Sequence, residues 1–209
     1  MKFNKDMLKL YAITDRQWLK DKTLPQAVEE AIKGGATFIQ LREKDTPYDQ
    51  FKAIAIEVKK ITDKYNIPFV INDNVELCKE IDADGVHVGA DDMSVKKARE
   101  ILGENKIVGG TARTLERALK AYNEGADYLG IGAVFNTTTK SGTTRMTKEL
   151  AQEINKTVNI PTVAIGGINK ENASKLKDYG VSGIAVVSAV FAQDNITEAC
   201  KELINTLDF

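Results

Sequence analysis

The stretch Gln40-Leu41-Arg42-Glu43-Lys44 sets an amide, a guanidinium and an ammonium at every second position. A strand turns alternate side chains to opposite faces, so Gln40, Arg42 and Lys44 share a face with Phe38 while Leu41 takes the other. A guanidinium fork beside an ammonium suits an anion with several oxygens, and phosphate esters are the commonest such ligands. The competing reading is a salt-bridge layer between neighbouring strands, because interior charges are paired when they bind nothing. Asn72-Asp73 and Asp91-Asp92 supply carboxylates at two further positions. Asp73 with Asp91 or Asp92 could share Mg2+, which takes a few carboxylates and completes its shell with water and phosphate oxygens. Aspartate is also a favoured helix N-cap; capping explains Asp91 better than a metal does, and leaves Asp73 open between the two roles.

Residues 136–147, NTTTKSGTTRMT, hold one apolar side chain and several hydroxyls around Lys140. A segment of that length suits a loop closing over phosphate, against the plainer reading of a solvated surface loop. Ala164-Ile165-Gly166-Gly167-Ile168 and Val186-Val187-Ser188 expose bare backbone amides where a chain can approach phosphate closely. Tight packing that admits only glycine is the alternative there. His87, the sole histidine, sits between glycines with the parity of a core side chain and receives no catalytic role. Glu43 could act as an acid or base, yet the sequence offers it no partner, and no nucleophile with a partnered base stands out.

The elements that must position these groups alternate strictly. Apolar runs of strand length at residues 8–14, 37–43, 68–73, 85–89, 106–112, 127–135, 161–167 and 183–191 are separated by segments of helical period at 24–35, 48–65, from 75, 94–103, 114–125, 148–158 and 170–179, with a last helix from 196. Leu24, Ala27, Val28, Ala31 and Ile32 show the one-sided pattern most clearly, before the stop signal Gly34-Gly35. Strands joined by helices run parallel, and eight of them favour closure over an open sheet with exposed edges. The expected fold is therefore an α/β protein, a single-domain (β/α)8 TIM barrel over residues 1–209 with short loops. A doubly wound sheet is the alternative; the first strand-to-helix turn lacks GxGxxG, and the polar residues follow many strands instead of lining one crevice. In a barrel the active site lies at the carboxyl ends of the strands, with the last two loops as the usual phosphate site. GGAT at Gly34, GADY at Gly125 and GVSG at Gly180 read as recurring helix-to-strand turns.

With 29 basic and 30 acidic residues and a calculated pI near 6.0, no overall field draws the chain to nucleic acid or to a membrane, so any anion site is local. The N-terminus lacks the apolar run of a signal peptide, and no stretch reaches the roughly 18 residues of a membrane helix, which points to the cytoplasm. Cys78 and Cys200 fall in amphipathic helices without metal-binding spacing and read as buried thiols. Trp18 and Phe209 are weak candidates for self-association into a homo-oligomer.

Taken together, YAITD at Tyr11, QLREK at Gln40, IND at Ile71, ADGVHVG at Ala83, GADYLGIG at Gly125, VFNTTTK at Val134, AIGGI at Ala164 and AVVSA at Ala185 resemble the thiamine phosphate synthase family over nearly the whole chain. AIGGI alone is shared by many phosphate-binding barrels, whereas QLREK, IND and the TxTK loop are specific in combination. The resemblance implies a Mg2+-dependent transferase that joins a pyrimidine diphosphate to a thiazole phosphate with loss of diphosphate. It implies that Gln40, Arg42, Lys44 and Asn72 hold the pyrimidine diphosphate and that Asp73 and Asp92 ligate Mg2+. Thr137, Thr139 and Lys140 match the loop that binds the thiazole phosphate and the departing diphosphate; Gly166, Gly167, Val187 and Ser188 match the remaining phosphate cradle. Arg42, Lys44, Lys140 and Thr111 are the implied catalytic set.

The chain departs from the family pattern in places. Thr111 replaces a serine and keeps the hydroxyl, Ala90 stands where glutamine is common, Asn136 where proline is, Arg113 where histidine is, and Ser141-Gly142 where an acidic residue often follows the loop lysine. The rival readings are a thiazole tautomerase on the same barrel, in which IND is degraded, another phosphosugar-type isomerase or epimerase barrel, and a non-enzymatic barrel that binds thiamine precursors.

Overall fold

In the computed structural model, which describes residues 3–90, 92–136 and 145–207, each of the apolar runs forms a short strand: β1 Leu10–Ile13, β2 Phe38–Leu41, β3 Phe69–Asn72, β4 Gly85–Val88, β5 Ile107–Ala112, β6 Tyr128–Gly132, β7 Thr162–Ile165 and β8 Gly183–Val186. The helices are α1 Leu24–Lys33, α2 Tyr48–Tyr65, α3 Val75–Glu80, α4 Val95–Leu102, α5 Leu115–Asn123, α6 Lys148–Thr157, α7 Ser188–Phe191 and α8 Ile196–Asn205. Every strand runs parallel to the next in chain order, and β8 pairs back onto β1 from Leu10 opposite Ile184 to Ala12 opposite Val186. The result is the closed barrel expected from the alternation.

Period-two side chains divide the core into two layers. Tyr11, Phe38, Val70, Tyr128, Val163 and Ala185 point inward and form one cluster. Leu10, Ala12, Ile39, Leu41, Ile71 and Leu129 point outward to the helices. Phe3 and Met7 pack on the inner cluster, with the Phe3 ring stacked on Tyr128 at 5.8 Å, so an apolar plug closes the amino end and leaves the carboxyl end open.

Local sequence explains where the helices start. Thr23 and Gln26 make a reciprocal capping box at α1. Asn74, Ser94, Thr114, Thr147 and Asn195 each accept a hydrogen bond from the first turn of α3, α4, α5, α6 and α8. The helix-to-strand turns share a second device: Thr37 Oγ1 accepts from Leu10 N at 2.9 Å, Asp84 from Phe69 N at 2.9 Å and Asp127 from Val108 N at 2.7 Å. Each side chain ties the start of its own strand to the start of the preceding one.

Three expectations shift. The segment 170–179 is a 3-10 helix over Ala173–Tyr179, because Asn169 and Asn172 side chains capture the backbone amides of Glu171 and Asn169 in a turn that competes with helix. The run 183–191 splits into β8 and α7: Val187 leaves extended geometry, and Val190 and Phe191 bury as helical residues, an ambiguity that apolar runs carry by nature. Residues 5–8 form a 3-10 turn ahead of β1, capped by Asn4. Cys78 and Cys200 are buried and Trp18 is exposed, while Phe209 lies outside the described residues. Among the described residues no helix is long and apolar enough to cross a membrane.

Candidate active site

A cavity of about 570 Å³ opens at the carboxyl ends of the strands. Gln40, Arg42, Asn72, Asp73 and Thr111 line it from β2, β3 and β5, and Gly166, Gly167, Val187 and Ser188 line it from the loops after β7 and β8. Nine residues singled out on sequence grounds from five parts of the chain thus face one space.

At the end of β2, Gln40 is buried and its Nε2 donates to the Tyr11 hydroxyl at 2.6 Å. Arg42 follows the last residue of the strand, and its backbone N–H donates to Thr14 Oγ1 at 3.0 Å. Lys44 is exposed and does not line the cavity. The alternation that grouped it with Gln40 and Arg42 fails because β2 ends at Leu41 and the chain turns at Asp45, whose φ is 58°. Glu43, left without a partner on sequence grounds, is buried against Arg16 at 2.6 Å and accepts from Thr46 Oγ1 at 3.1 Å. That contact ties the loop after β1 to the loop after β2. The salt-bridge layer considered for this strand end is therefore Arg16–Glu43. Among the described residues neither Arg42 nor Lys44 has a carboxylate partner.

Asp73 follows β3 with φ 63°, a left-handed geometry that aspartate tolerates better than most residues. It caps nothing, since α3 is capped by Asn74; likewise Ser94 caps α4, so capping does not fall to Asp91, which lies outside the described residues. Asp73 Oδ1 accepts from Gly89 N at 3.1 Å, and Asn72 Nδ2 donates to its other oxygen. Asp92 folds back over the same glycine: a Cβ at Gly89 would overlap the Asp92 carboxylate and lie 3.6 Å from Asp73 Oδ1. Burial, then the charge of Asp92, raise the Asp73 pKa above the usual carboxylate range. Neither carboxylate pairs with a described lysine or arginine. Two hard oxygen donors crowded without a counter-charge fit Mg2+, which needs only one or two carboxylates beside water and phosphate. Among the described residues no group of three or more metal-binding side chains exists, so an all-protein cage is not what they offer.

Gly166 and Gly167 have φ of 103° and 64°, and a Cβ on Gly167 would overlap the Asn136 carbonyl. Packing against the loop after β6 thus demands glycine here, as the packing reading of AIGGI expects. The same two glycines line the cavity. Thr137, Thr139 and Lys140 lie outside the described residues, as do Ser141 and Gly142.

Sequence reasoning missed two groups. Arg113, noted only as a departure, stands just after β5 and lines the cavity, and among the described residues its guanidinium has no carboxylate partner. Its position one residue past a strand end was the available signal. His87 also lines the cavity, with Nε2 at 2.9 Å from Thr111 Oγ1 and Nδ1 at 3.0 Å from the Tyr128 hydroxyl. Its inward parity was legible, but its partners come from two other strands.

Residues 10–190 match the family model described as Thiamine monophosphate synthase. A Clostridium tetani protein named thiamine-phosphate synthase is 48% identical over 194 residues, 93% of each chain. A Methanobrevibacter smithii protein of the same name is 46% identical over 197 residues, 94% of each chain. The solved structure of a thiamine phosphate pyrophosphorylase from Pyrococcus furiosus superposes with a TM-score of 0.89 at 41% identity, covering 97% of this chain and 96% of that one. A rim lined by arginines on a closed barrel would by itself admit several chemistries; likeness of this depth across nearly the full length selects among them, and the chain belongs to the thiamine monophosphate synthase family.

Proposed function

We propose that this barrel joins an aminopyrimidine bearing a diphosphate to a thiazole bearing a phosphate, giving thiamine phosphate and free diphosphate. One observation carries the reading: two guanidinium groups that have no carboxylate partner among the described residues, Arg42 and Arg113, share a rim with the converging carboxylates of Asp73 and Asp92. Fixed cations suit a diphosphate leaving group, and hard oxygens suit the divalent ion such a group carries.

The bond from the pyrimidine methylene to oxygen breaks first, with its electron pair departing on the diphosphate. The amino-substituted ring spreads the positive charge left on carbon. The lone pair of the thiazole nitrogen then forms the new carbon–nitrogen bond. Arg42 and Arg113 stabilise charge as it develops on the departing oxygens, an effect strongest where donors are already in place. Gln40, Asn72 and Thr111 orient the pyrimidine, and Gly166, Gly167, Val187 and Ser188 hold the thiazole phosphate. Lys44, Thr137, Thr139 and Lys140 are assigned by the family pattern to the diphosphate and the closing loop. Asp73 and Asp92 would hold Mg2+, which when bound supplies further charge to the leaving group. Ile13, Val163 and Ile165 line the same cavity, and their apolar surface keeps water from the electron-poor carbon. No nucleophilic side chain is needed.

Incubation with both phosphorylated precursors and Mg2+ tests this. Thiamine phosphate and diphosphate should appear in equal amounts, only with both precursors, and chelation should stop them. Absence of product with Mg2+ present would overturn the assignment; product indifferent to chelator would remove Asp73 and Asp92 from the metal role.

A further inference from the structure

Four hydrogen bonds cross the barrel interior below the cavity. Gln40 Nε2 donates to the Tyr11 hydroxyl at 2.6 Å, the Tyr11 and Tyr128 hydroxyls are 2.9 Å apart, His87 Nδ1 is 3.0 Å from the Tyr128 hydroxyl, and His87 Nε2 is 2.9 Å from Thr111 Oγ1. The five residues come from β2, β1, β6, β4 and β5, and all but Thr111 are buried. A phenol carries one proton. With one donor and one acceptor role assigned to each hydroxyl, the bond from Gln40 directs the Tyr11 proton to Tyr128 and the Tyr128 proton to His87 Nδ1. The imidazole then carries its hydrogen on Nε2 and donates it to Thr111. Thr111 Oγ1 accepts that bond, and its hydroxyl proton is left for the cavity that the residue lines.

We infer that Tyr11 and Tyr128 are positioning residues: they polarise one hydrogen-bond chain that fixes His87 as the Nε2–H tautomer and commits the Thr111 hydroxyl to donate to an acceptor on the substrate's heteroaromatic ring. The inference deepens the proposed function and rests on it for the identity of that ring, the pyrimidine. No proton is transferred; the chain sets direction only. Burial pushes both phenols far above the ordinary tyrosine range, so each keeps its proton at any working pH. The reverse polarity requires Nδ1–H, with Thr111 donating to the ring and offering the substrate only an acceptor. A buried network of this kind stiffens its members when every one is satisfied.

Because His87 is the sole histidine, a long-range 1H–15N correlation spectrum of the unliganded, labelled protein reads the tautomer without assignment. The expected result is a pyridine-like Nδ1 and a pyrrole-like Nε2 in the wild type. Tyr128→Phe should blur or invert that pattern and raise KM for the pyrimidine diphosphate about threefold to tenfold, the worth of one hydrogen bond, while KM for the thiazole phosphate stays unchanged. Tyr11→Phe cuts the chain one link earlier and should act in the same direction, which keeps the test open if either variant folds poorly. Thr111→Val should match Tyr128→Phe, Thr111→Ser should restore the wild-type KM, and the Tyr128→Phe/Thr111→Val double variant should be no worse than the poorer single variant. A pyrrole-like Nδ1 in the wild type, unchanged KM in Tyr128→Phe, or additive losses in the double variant would each overturn the inference. The tautomer is read without turnover, so failure of the synthase assay alone would sink the functional reading and leave this relay to be judged on the spectrum.

Discussion

Asp73 is held by the Gly89 N–H and the Asn72 amide in a position that charge repulsion from Asp92 alone would disfavour. A divalent ion held between the two carboxylates, as proposed, would offset that crowding. Asp73→Asn preserves the shape and removes the charge; diphosphate release should fall by about a hundredfold or more, the usual cost of losing one preorganised electrostatic element, while circular dichroism stays unchanged. Wild-type turnover in that variant would exclude Asp73 from the chemistry. The cysteines behave oppositely: burial pushes Cys78 and Cys200 up to about 12, from an ordinary 9.0. A raised thiol pKa contributes stability that is complete below the ordinary value and lost as pH climbs through the folded one. Urea midpoints should therefore be insensitive to these thiols below pH 9 and fall between 9 and 12. Iodoacetamide at pH 8 should label both cysteines only after unfolding, because the thiolate is the reactive form.

The repeated strand–helix unit carries its own fasteners at both ends. At the carboxyl rim, Ser, Thr and Asn caps start the helices and hold the loops that bear the site. At the amino rim, Thr37, Asp84 and Asp127 accept from the first amides of the preceding strands. Asp127 does most, since Arg99 Nη2 also donates to it at 2.7 Å and links α4 to β6. Asp127→Ala would leave the Val108 amide without its acceptor and take from the largely buried Arg99 guanidinium its carboxylate, leaving it only backbone carbonyls. A loss of about 1–3 kcal/mol is expected, measurable as a lower urea midpoint with unchanged slope, and with KM for both substrates intact because the residue sits at the end of the barrel away from the cavity.

The whole molecule depends on a ring that must close. Three strand glycines mark the tight approaches: a Cβ on Gly85, Gly132 or Gly183 would overlap a backbone carbonyl of the neighbouring strand or of residue 8. Gly183 matters most for closure, since β8 must lie flat on β1 to complete the circle. Gly183→Ala should cost roughly 1–3 kcal/mol or more through overpacking that backbone cannot relieve; an unchanged thermal midpoint would show that the seam between β8 and β1 yields.

Much of this was written in the linear order of residues. Alternation of periods fixed the number of strands and their parallel direction, because both are local consequences of which faces must be buried. Parity placed Phe38, Gln40 and Arg42 inside, and loop position drew attention to Asp73, Asp92, Gly166, Gly167 and Ser188. What escaped was decided between elements. Lys44 left the shared face because β2 stopped early, Glu43 found Arg16 across two loops, and Arg113 joined the site because the closed ring brings the end of β5 to the same rim as the ends of β2 and β3. His87 shows the reason most plainly: its strand position follows from neighbours in sequence, but its partners are hydroxyls on β5 and β6, and only the pairing of β4, β5 and β6 in one curved sheet sets those within hydrogen-bonding distance.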